Sequence, residues 1–410
     1  MKKFFVLCLS AVIVYAGAFS CKKKSSPSGP GNESLEKNTP TITATFTDTE
    51  IPDILIPTAT VTITPKIQIP FIAVSAIAGD GCSLVIKQDG SLWVIGLNNW
   101  KQLGLGSISG VSQLTKVMDG VIAVASGYYH SMALKSDGTL WVTGMNYNGQ
   151  LGTGDNNQRD QWTNTLTDVQ AIAAGGSYSF ALKNDGTLWA TGHNYYGEFG
   201  IGDNSNRNVW TQITTITGDI NAIATGYHHS IALTSDGNLW TTGYNSDGEL
   251  GNLYPGSRNS WVVSLTGVRS IAAGSYNSFA IKTNGTLWAT GLNNYGQLGC
   301  GDTIDKHQWT QIYMENVASI ASGSASSFAI KTDGTLWATG YNEYGQLGTG
   351  DNENKNIWTY VLSDVNYVTC SSHSLAIKTD GTLWATGSNY NNELGIGTNE
   401  NKNQWTQVYE

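Results

Sequence analysis

The stretch K-T-D-G-T-L-W-A-T-G-Y-N-E-Y-G-Q-L-G-T-G-D, residues 331 to 351, decides the fold because the chain repeats it. Its core, D-G-x-L-W, occurs in seven copies that begin 47 to 51 residues apart. The copies begin at Asp89, Asp137, Asp185, Asp236, Asn284, Asp333 and Asp380. Self-similarity at a period of about 50 residues is typical of propellers and solenoids. The repeat is therefore the structural unit of the chain.

Each copy predicts four β-strands, because short apolar or alternating runs are separated by glycine turns and no helical period is present. In the third copy the strands are predicted over 170–174, 179–183, 187–191 and 210–213. Asp185-Gly186 predicts a two-residue type I′ turn between the second and third strands.

Both faces of this sheet carry large apolar side chains. Phe180 and Leu182 point to one face and Trp189 to the other, since side chains alternate along a strand. A sheet that is apolar on both faces needs neighbours on both sides, and radial stacking supplies them. The predicted fold is all-β: a seven-bladed β-propeller of four-stranded antiparallel blades over residues 70–410.

The ends of the repeat region predict that the ring closes. The first copy begins at Ile77 to Gly79, and the chain finishes with Trp405 to Val408, the strand that precedes this step in the other copies. We expect the C-terminal strand to complete the blade opened by the N-terminal strands. The N- and C-terminal strands would then close the propeller by pairing.

The lines at 135–155 and 331–351 resemble the regulator-of-chromosome-condensation repeat, whose members form seven-bladed propellers. All copies keep the asparagine of a G-x-N triplet, at Asn98, Asn146, Asn194, Asn245, Asn293, Asn342 and Asn389. The resemblance covers about 71–410 and implies the fold. It does not imply the nucleotide exchange of the eukaryotic member, which needs an inserted interaction segment. The only insertion here is about three residues near 214–219.

Residues 1–20 are predicted to be a lipoprotein signal peptide. Lys2 and Lys3 precede an apolar stretch, and small residues stand before Cys21. The stretch A-F-S-C resembles the lipobox of bacterial lipoproteins, which implies cleavage before Cys21 and lipidation of that cysteine. The alternatives are an ordinary signal with a chance cysteine, or an uncleaved anchor.

Residues 21–69 are predicted to be an extended, Thr/Pro-rich tether. Seven of the eight prolines lie between Pro27 and Pro70, and such a segment buries too little apolar surface to fold. An added edge strand is the alternative. We expect a lipid-anchored protein of the bacterial cell envelope, at the outer membrane or cell surface rather than the inner membrane.

Composition and charge exclude other classes. Only 13% of the 410 residues are charged, against about 25% in an average chain. After the first twenty residues, no apolar run approaches the ~20 residues needed to cross a bilayer. Residues 70–410 contain 15 basic and 26 acidic side chains without a basic cluster. Nucleic acid is therefore not an expected partner, because phosphate binding requires a positive surface.

No catalytic set, cofactor site or metal centre is predicted. His130, His229 and His373 occupy one repeat position, which indicates a structural role rather than a unique general base. Cys82, Cys300 and Cys370 lie in different copies and form no zinc set, although one pair could be a disulfide. The Asp-rich loops at 155–160 and 351–356 match no calcium motif, and calcium remains an alternative there.

Aromatic side chains are concentrated in the loops that follow the first and third strands of the copies. In an antiparallel meander these loops emerge on one face, opposite the D-G turns. The first set of loops contains Tyr128, Tyr129, Tyr178, Tyr227 and Tyr276, and the second contains Trp100, Tyr147, Tyr195, Tyr196, Tyr295, Tyr344 and Tyr390. Binding surfaces are rich in such rings.

These twelve aromatics predict a recognition face for a macromolecule, most simply a protein, on a monomeric propeller that is not an enzyme. The identity of the partner is open. The alternatives are a glycan-binding or glycan-cleaving surface protein, since aromatic rings also stack on sugars, and an inhibitor of a secreted enzyme. The last alternative follows secreted β-lactamase inhibitors, which are built on a similar repeat.

Overall fold

In the computed structural model, residues 70–410 are described, and they form seven antiparallel sheets of four strands. The predicted signal peptide over 1–20, the lipidated Cys21 and the tether over 21–69 lie outside the described residues. Between residues 70 and 410 all regular elements are β-strands, which confirms the predicted seven-bladed, all-β architecture. This part of the chain has no helix with the length and apolarity to span a membrane.

Each blade is a meander of four consecutive strands. Blades 1 and 2 contain β1 (Ala73–Ala78), β2 (Cys82–Lys87), β3 (Leu92–Leu97), β4 (Gly110–Met118), β5 (Val121–Ser126), β6 (His130–Lys135), β7 (Leu140–Gly144) and β8 (Arg159–Leu166). Blades 3 and 4 contain β9 (Val169–Ala174), β10 (Tyr178–Lys183), β11 (Leu188–Gly192), β12 (Arg207–Ile213), β13 (Ile220–Thr225), β14 (His229–Thr234), β15 (Leu239–Gly243) and β16 (Arg258–Leu265). Blades 5 and 6 contain β17 (Val268–Ala273), β18 (Asn277–Lys282), β19 (Leu287–Gly291), β20 (Lys306–Ile312), β21 (Val317–Ser322), β22 (Ser326–Lys331), β23 (Leu336–Gly340) and β24 (Lys355–Leu362). Blade 7 contains β25 (Val365–Cys370), β26 (His373–Lys378), β27 (Leu383–Gly387) and β28 (Lys402–Gln407).

The first strand of every blade lies nearest the axis and the fourth lies outermost. First strands are buried along most of their length, whereas fourth strands alternate between half-buried and exposed residues. Contacts between first strands run through β1, β5, β9, β13, β17, β21 and β25 and return to β1. The blades therefore form a closed ring, and the apolar core lies between adjacent sheets.

The hairpin between β10 and β11 has the predicted position and a different turn. Ala181 pairs with Trp189 and Leu182 with Leu188, so Phe180 and Trp189 lie on opposite faces as expected. The prediction of a type I′ turn is wrong: Gly186 has φ +84°, but Asp185 is not in the positive-φ region. The Asp185 carboxylate instead accepts hydrogen bonds from the N–H and hydroxyl of Thr187, at 2.9 and 2.6 Å. The Gly186 N–H donates to the Lys183 carbonyl at 3.0 Å, so the central residues of the turn are Asn184 and Asp185, and Gly186 follows them.

The two ends of the described chain pair with each other. The Phe71 N–H donates to the Val408 carbonyl at 3.1 Å, and the Ala73 N–H donates to the Gly381 carbonyl at 2.8 Å. Closure by the N- and C-terminal segments is therefore confirmed. The finer expectation, that 405–408 completes the first blade, is wrong, because β28 pairs with β27 and the first copy supplies its own fourth strand, β4.

Adjacent blades also interlock where an outer-strand tryptophan packs on a glycine of the preceding blade. A Cβ atom at Gly200 would lie 2.3 Å from the Trp261 ring, so only glycine fits. The Trp261 indole N–H donates to the Phe199 carbonyl at 2.9 Å. At the junction of the last and first blades, Leu114 stands in place of tryptophan, and a Cβ at Gly395 would lie 3.7 Å from it. At this position the closing junction therefore lacks the close glycine–tryptophan contact of the other six junctions.

Candidate binding face

The loops after the first and third strands of each blade emerge at one end of the propeller, here called the loop face. The rings of Trp100, in a third-strand loop, and Tyr129, in a first-strand loop of the next blade, have centroids 5.0 Å apart. First-strand turns from all seven blades surround the axis at this end, where Tyr128 and Tyr227 line a shallow depression. The expected grouping of the two sets of loops is therefore observed.

Repeated polar residues build the third-strand loops. In blade 6 the Asn342 Oδ1 accepts from the Leu347 N–H at 2.9 Å, and its Nδ2 donates to the Asp351 carbonyl at 3.0 Å. The Gln346 Oε1 accepts from the Tyr344 N–H at 3.1 Å. The asparagine bond and the glutamine or glutamate bond both recur in all seven blades. These buried side chains hold the loops that display the aromatic rings.

Eight of the twelve predicted aromatics belong to one connected group over blades 1 to 5, here called the large aromatic cluster. Neighbouring ring centroids in it are 4.4 to 6.5 Å apart, the range of edge-to-face and tilted contacts. Its members are the predicted Trp100, Tyr128, Tyr129, Tyr147, Tyr195, Tyr196, Tyr227 and Tyr276, together with His193, His228 and Tyr244. Tyr147 and Tyr195 are the most exposed, at 60% and 66%.

A second group, the small aromatic cluster, covers blades 5 to 7. It consists of the predicted Tyr295, Tyr344 and Tyr390 with the additional Tyr341, and its ring centroids are 4.9 to 6.2 Å apart. Tyr390 is 66% exposed. Aromatic side chains thus occur on the loop face of every blade.

Tyr178 is not part of this face, and its prediction as a partner-binding residue is wrong. The side chain is fully buried as the first residue of β10. Its hydroxyl donates to the His229 carbonyl of the next blade at 2.5 Å, and burial raises its pKa well above the usual value. Tyr178 occupies the repeat position of His130, one residue after the position of Tyr129, and this register identifies it as a core residue.

The face includes aromatic side chains that the sequence analysis did not select. His193, Tyr244 and Tyr341 stand at the x of the G-x-N triplet, immediately after the third strand. His228 precedes the repeat histidine His229 in a first-strand loop. Their positions in the repeat could have identified them, because they lie in the same loops as the predicted tyrosines.

The three repeat histidines join adjacent blades. The Nε2 atoms of His130 and His229 lie 2.9 Å from serine hydroxyls of the following blade, and His373 Nε2 lies 2.7 Å from Ser83 Oγ across the closing junction. Ser83 donates its own proton to a backbone carbonyl at 2.7 Å, so the imidazole is the donor to Ser83. Burial lowers the pKa of His130 to about 3. These imidazoles are neutral in the folded protein.

The carboxylates of the acidic loops form ion pairs within their own loops, and the cysteines within residues 70–410 form no disulfide. Asp155 pairs with Arg159 and Asp351 with Lys355, each at 2.8 Å. The Asp155 pKa is lowered, chiefly by its hydrogen bond from Arg159. The three cysteines of the described residues are unpaired thiols, and burial raises the pKa of the Cys370 thiol to about 12.

His193, Glu198 and His228 form a compact group of potential metal ligands in the large aromatic cluster. The Nδ1 atoms of His193 and His228 lie 2.7 and 3.1 Å from one oxygen, Glu198 Oε1. Burial favours a higher pKa for Glu198, but hydrogen bonds from the two imidazoles outweigh it and lower the pKa. The carboxylate is therefore ionised at neutral pH. No metal centre was expected from the sequence. The three residues come from two blades, so their spacing in the sequence does not show that they meet.

A family model described as the RCC1-like domain matches residues 165–409, more than half of the chain. The chain belongs to the RCC1-like domain family. Models of the regulator of chromosome condensation (RCC1) repeat match 89–134, 137–182 and 121–150 of this RCC1-like protein. No curated protein matches the sequence significantly.

Three solved structures show the same fold as this RCC1-like propeller. Prp20p from Saccharomyces cerevisiae has a TM-score of 0.72 at 20% identity, over 80% of this chain and 88% of that one. Human WBSCR16 has a TM-score of 0.70 at 20% identity, over 78% and 95%. A chain in the structure of Kap60 bound to yeast RCC1 (Prp20) has a TM-score of 0.71 at 19% identity, over 86% and 91%. At 19–20% identity these similarities show a shared fold and do not show a shared ligand.

Proposed function

We propose that this RCC1-like propeller is a lipid-anchored binding protein of a bacterial cell envelope, which recognises a protein partner through the loop face and catalyses no reaction. The observation that carries the proposal is the large aromatic cluster. Its eleven rings are joined by edge-to-face and tilted contacts across five blades, and Tyr147 and Tyr195 are its most exposed members.

The chemistry of this cluster favours a protein surface. Tyrosine presents a large apolar ring with few rotatable bonds and a hydroxyl at its tip, so it buries area at a low entropic cost and still forms hydrogen bonds. The repeated side chains, Asn at one position and Gln or Glu at the other, fix the loops before any partner arrives, as Asn194 and Glu198 do in blade 3. A preorganised surface loses little conformational entropy on binding.

Structures of similar fold support a binding role. Prp20p was characterised for binding to Gsp1p and histones, and yeast RCC1 was solved bound to Kap60. Gsp1p, histones and Kap60 are partners of those yeast proteins and are not proposed as partners of this chain. What they lend to the present proposal is that proteins of this fold bind other proteins.

The envelope location and the lack of catalysis are further parts of the proposal. The basic, apolar and small-residue order of residues 2–20 before Cys21 supports export and lipidation. The burial of the repeat histidines, and their bonds to serines that already donate to carbonyls, supports a structural use of those side chains.

The test of the binding face compares two variants of the full chain. The double variant Tyr147→Ala/Tyr195→Ala removes exposed rings from the loop face, and Tyr313→Ala removes a tyrosine that is 96% exposed in the turn between β20 and β21, at the opposite end. A partner captured from envelope extract is purified and titrated calorimetrically. We expect at least about tenfold weaker binding for the double variant and no change for the control. Equal affinities for all three proteins would refute the assignment of the face.

The same variants test the glycan alternative. Titration of the chain with cell-wall and host polysaccharides is expected to give no saturable heat. A saturable sugar signal that the double variant abolishes would replace the protein partner with a glycan.

Lipid anchoring is tested separately by Cys21→Ser in the native host. We expect labelled fatty acid to be incorporated into the wild-type chain and not into the variant, and the variant to leave the membrane fraction. Equal labelling of both chains would contradict lipidation at Cys21.

A further inference from the structure

We propose that His193, Glu198 and His228 bind a divalent transition-metal ion of the Zn²⁺ class. One ligand atom from each of the three residues lies within 4.8 Å of those of the other two. The atoms that face each other are His193 Nδ1, Glu198 Oε1 and His228 Nδ1. Two imidazoles and one carboxylate with a position left for an outside ligand are a common coordination set for zinc and related ions. The site goes beyond the proposed partner binding and does not depend on it.

The two imidazoles converge on a single carboxylate oxygen. His193 Nδ1 and His228 Nδ1 lie 2.7 and 3.1 Å from Glu198 Oε1. Ligands of a tetrahedral zinc ion, with bonds of about 2.0–2.2 Å, are separated by roughly 3.3 Å from one another. The two nitrogen–oxygen separations therefore need to lengthen by only a few tenths of an ångström for an ion to enter between the carboxylate and the imidazoles.

The other oxygen of Glu198 already fixes the carboxylate. Glu198 Oε2 accepts the backbone N–H of Tyr196 at 3.0 Å, so Oε1 is held toward the two histidines. Glu198 is fully buried, whereas His193 and His228 are 18% and 19% exposed. An ion can therefore reach the site from the loop face, and its remaining coordination position faces water or a partner side chain.

The combination is particular to blade 3 among the described blades. Glutamate also replaces glutamine at Glu249 and Glu393, but neither carboxylate has an imidazole as a hydrogen-bond partner. Glu393 Oε1, the oxygen that does not accept from the loop backbone, accepts a hydrogen bond from the Ser388 hydroxyl at 2.8 Å. Glu249 Oε1 has no hydrogen-bond partner within residues 70–410. The repeated loop structure therefore needs only a side-chain oxygen that accepts the backbone N–H at this position. The two histidines beside Glu198 are not part of that requirement.

The ligands suit a borderline metal rather than calcium. Imidazole nitrogen binds zinc, cobalt, nickel and copper, whereas calcium takes oxygen ligands. Before binding, both Nδ1 atoms are positioned to donate their protons to the carboxylate. On binding, those protons move to Nε2 of the same rings through water, so that the Nδ1 lone pairs face the ion.

The test uses the purified full chain after removal of metal by a chelator. Titration with Zn²⁺ by calorimetry is expected to show one ion per chain with a dissociation constant in the micromolar range or below. Titration with Co²⁺ is expected to give visible d–d bands of a four- or five-coordinate ion with nitrogen and oxygen ligands.

Two variants remove one ligand each and fit the fold. Glu198→Gln places the residue found in four equivalent loops, and His228→Ser places the residue found at Ser177 and Ser372. We expect each to weaken Zn²⁺ binding by more than about 100-fold, beyond the typical effect of losing an outer-shell partner. Glu249→Gln, the same change in the next blade, is the control and should leave the affinity unchanged. Circular dichroism verifies that each variant is folded.

Absence of a one-to-one site at about 100 µM Zn²⁺ would overturn the proposal, as would binding that survives both ligand variants. If one ligand variant fails to fold, the other decides the outcome by itself. Weakening by Glu249→Gln to the same extent would also overturn it, because the effect would then follow the repeat position and not the histidines.

Discussion

Glu249→Gln should stabilise the propeller in a pH-dependent way. The Glu249 side chain is fully buried in the third-strand loop of blade 4, where Oε2 accepts the Asp247 N–H at 3.1 Å. Oε1 has no partner among the described residues. Burial, reinforced by the nearby Asp247 carboxylate, raises the pKa of Glu249 from 4.5 to about 8. The wild-type side chain is therefore held in the fold mainly in its neutral form at pH 7.

The direction follows from proton linkage. Because the pKa is higher in the folded than in the unfolded chain, the folded state binds more protons between these values, and stability falls as pH rises through that window. At about 1.4 kcal/mol per pKa unit, the wild type loses about 4 kcal/mol between roughly pH 5 and pH 9 through this group. The glutamine of the variant does not titrate, so the advantage of the variant grows from under about 1 kcal/mol near pH 5 to several near pH 9.

Equilibrium urea unfolding, followed by tryptophan fluorescence at a series of pH values, measures the difference between wild type and Glu249→Gln. All other titrating groups cancel to first order in that difference. The ¹³C shift of the Glu249 carboxyl carbon gives the pKa directly. A stability difference that is constant with pH, or a carboxyl pKa near 4.5, would refute the reasoning. Glu393→Gln is the matched comparison, because Ser388 already donates to that carboxylate.

Three further substitutions test the architecture. Gly192→Ala should destabilise the chain by at least about 3 kcal/mol in urea unfolding, since φ is +107° and the new Cβ would lie 2.6 Å from the Ser177 carbonyl oxygen; a loss under about 1 kcal/mol would contradict this. Tyr178→Phe should cost about 1–2 kcal/mol through the lost bond to the His229 carbonyl and leave partner affinity unchanged, as calorimetry can show. Asn342→Ala should cost about 2–3 kcal/mol and speed amide hydrogen exchange in its loop; unchanged exchange would exclude a holding role.

The fold was predictable because the information is repeated. Strands predicted from one copy, such as 179–183, coincide with β10, and the same pattern occurs in the other blades. The errors concern choices that the pattern leaves open. The D-G pair does not specify whether the turn is centred on Asp185 and Gly186 or one residue earlier. The repeat also does not specify which end of the chain supplies the last strand, and hence the partner of β28.

The loop face was predictable in outline, because the meander places alternate loops at one end. Tyr178 was misplaced by a single position, which in a strand changes a loop residue into a buried one. The group of His193, Glu198 and His228 was not accessible from sequence, since His228 reaches the other two across a blade boundary. Spacing within a repeat does not specify contacts between repeats.

The seam formed by Phe71 and Ala73 has a mechanical consequence. A pull on the segment that precedes Pro70 is transmitted first to their hydrogen bonds with Val408 and Gly381. At the same junction Leu114 replaces the tryptophan that clamps the other blades. We therefore expect tension to separate the seventh blade from the first while the other blades stay packed together. In a circular permutant with its termini at another junction, the first separation should occur at that junction.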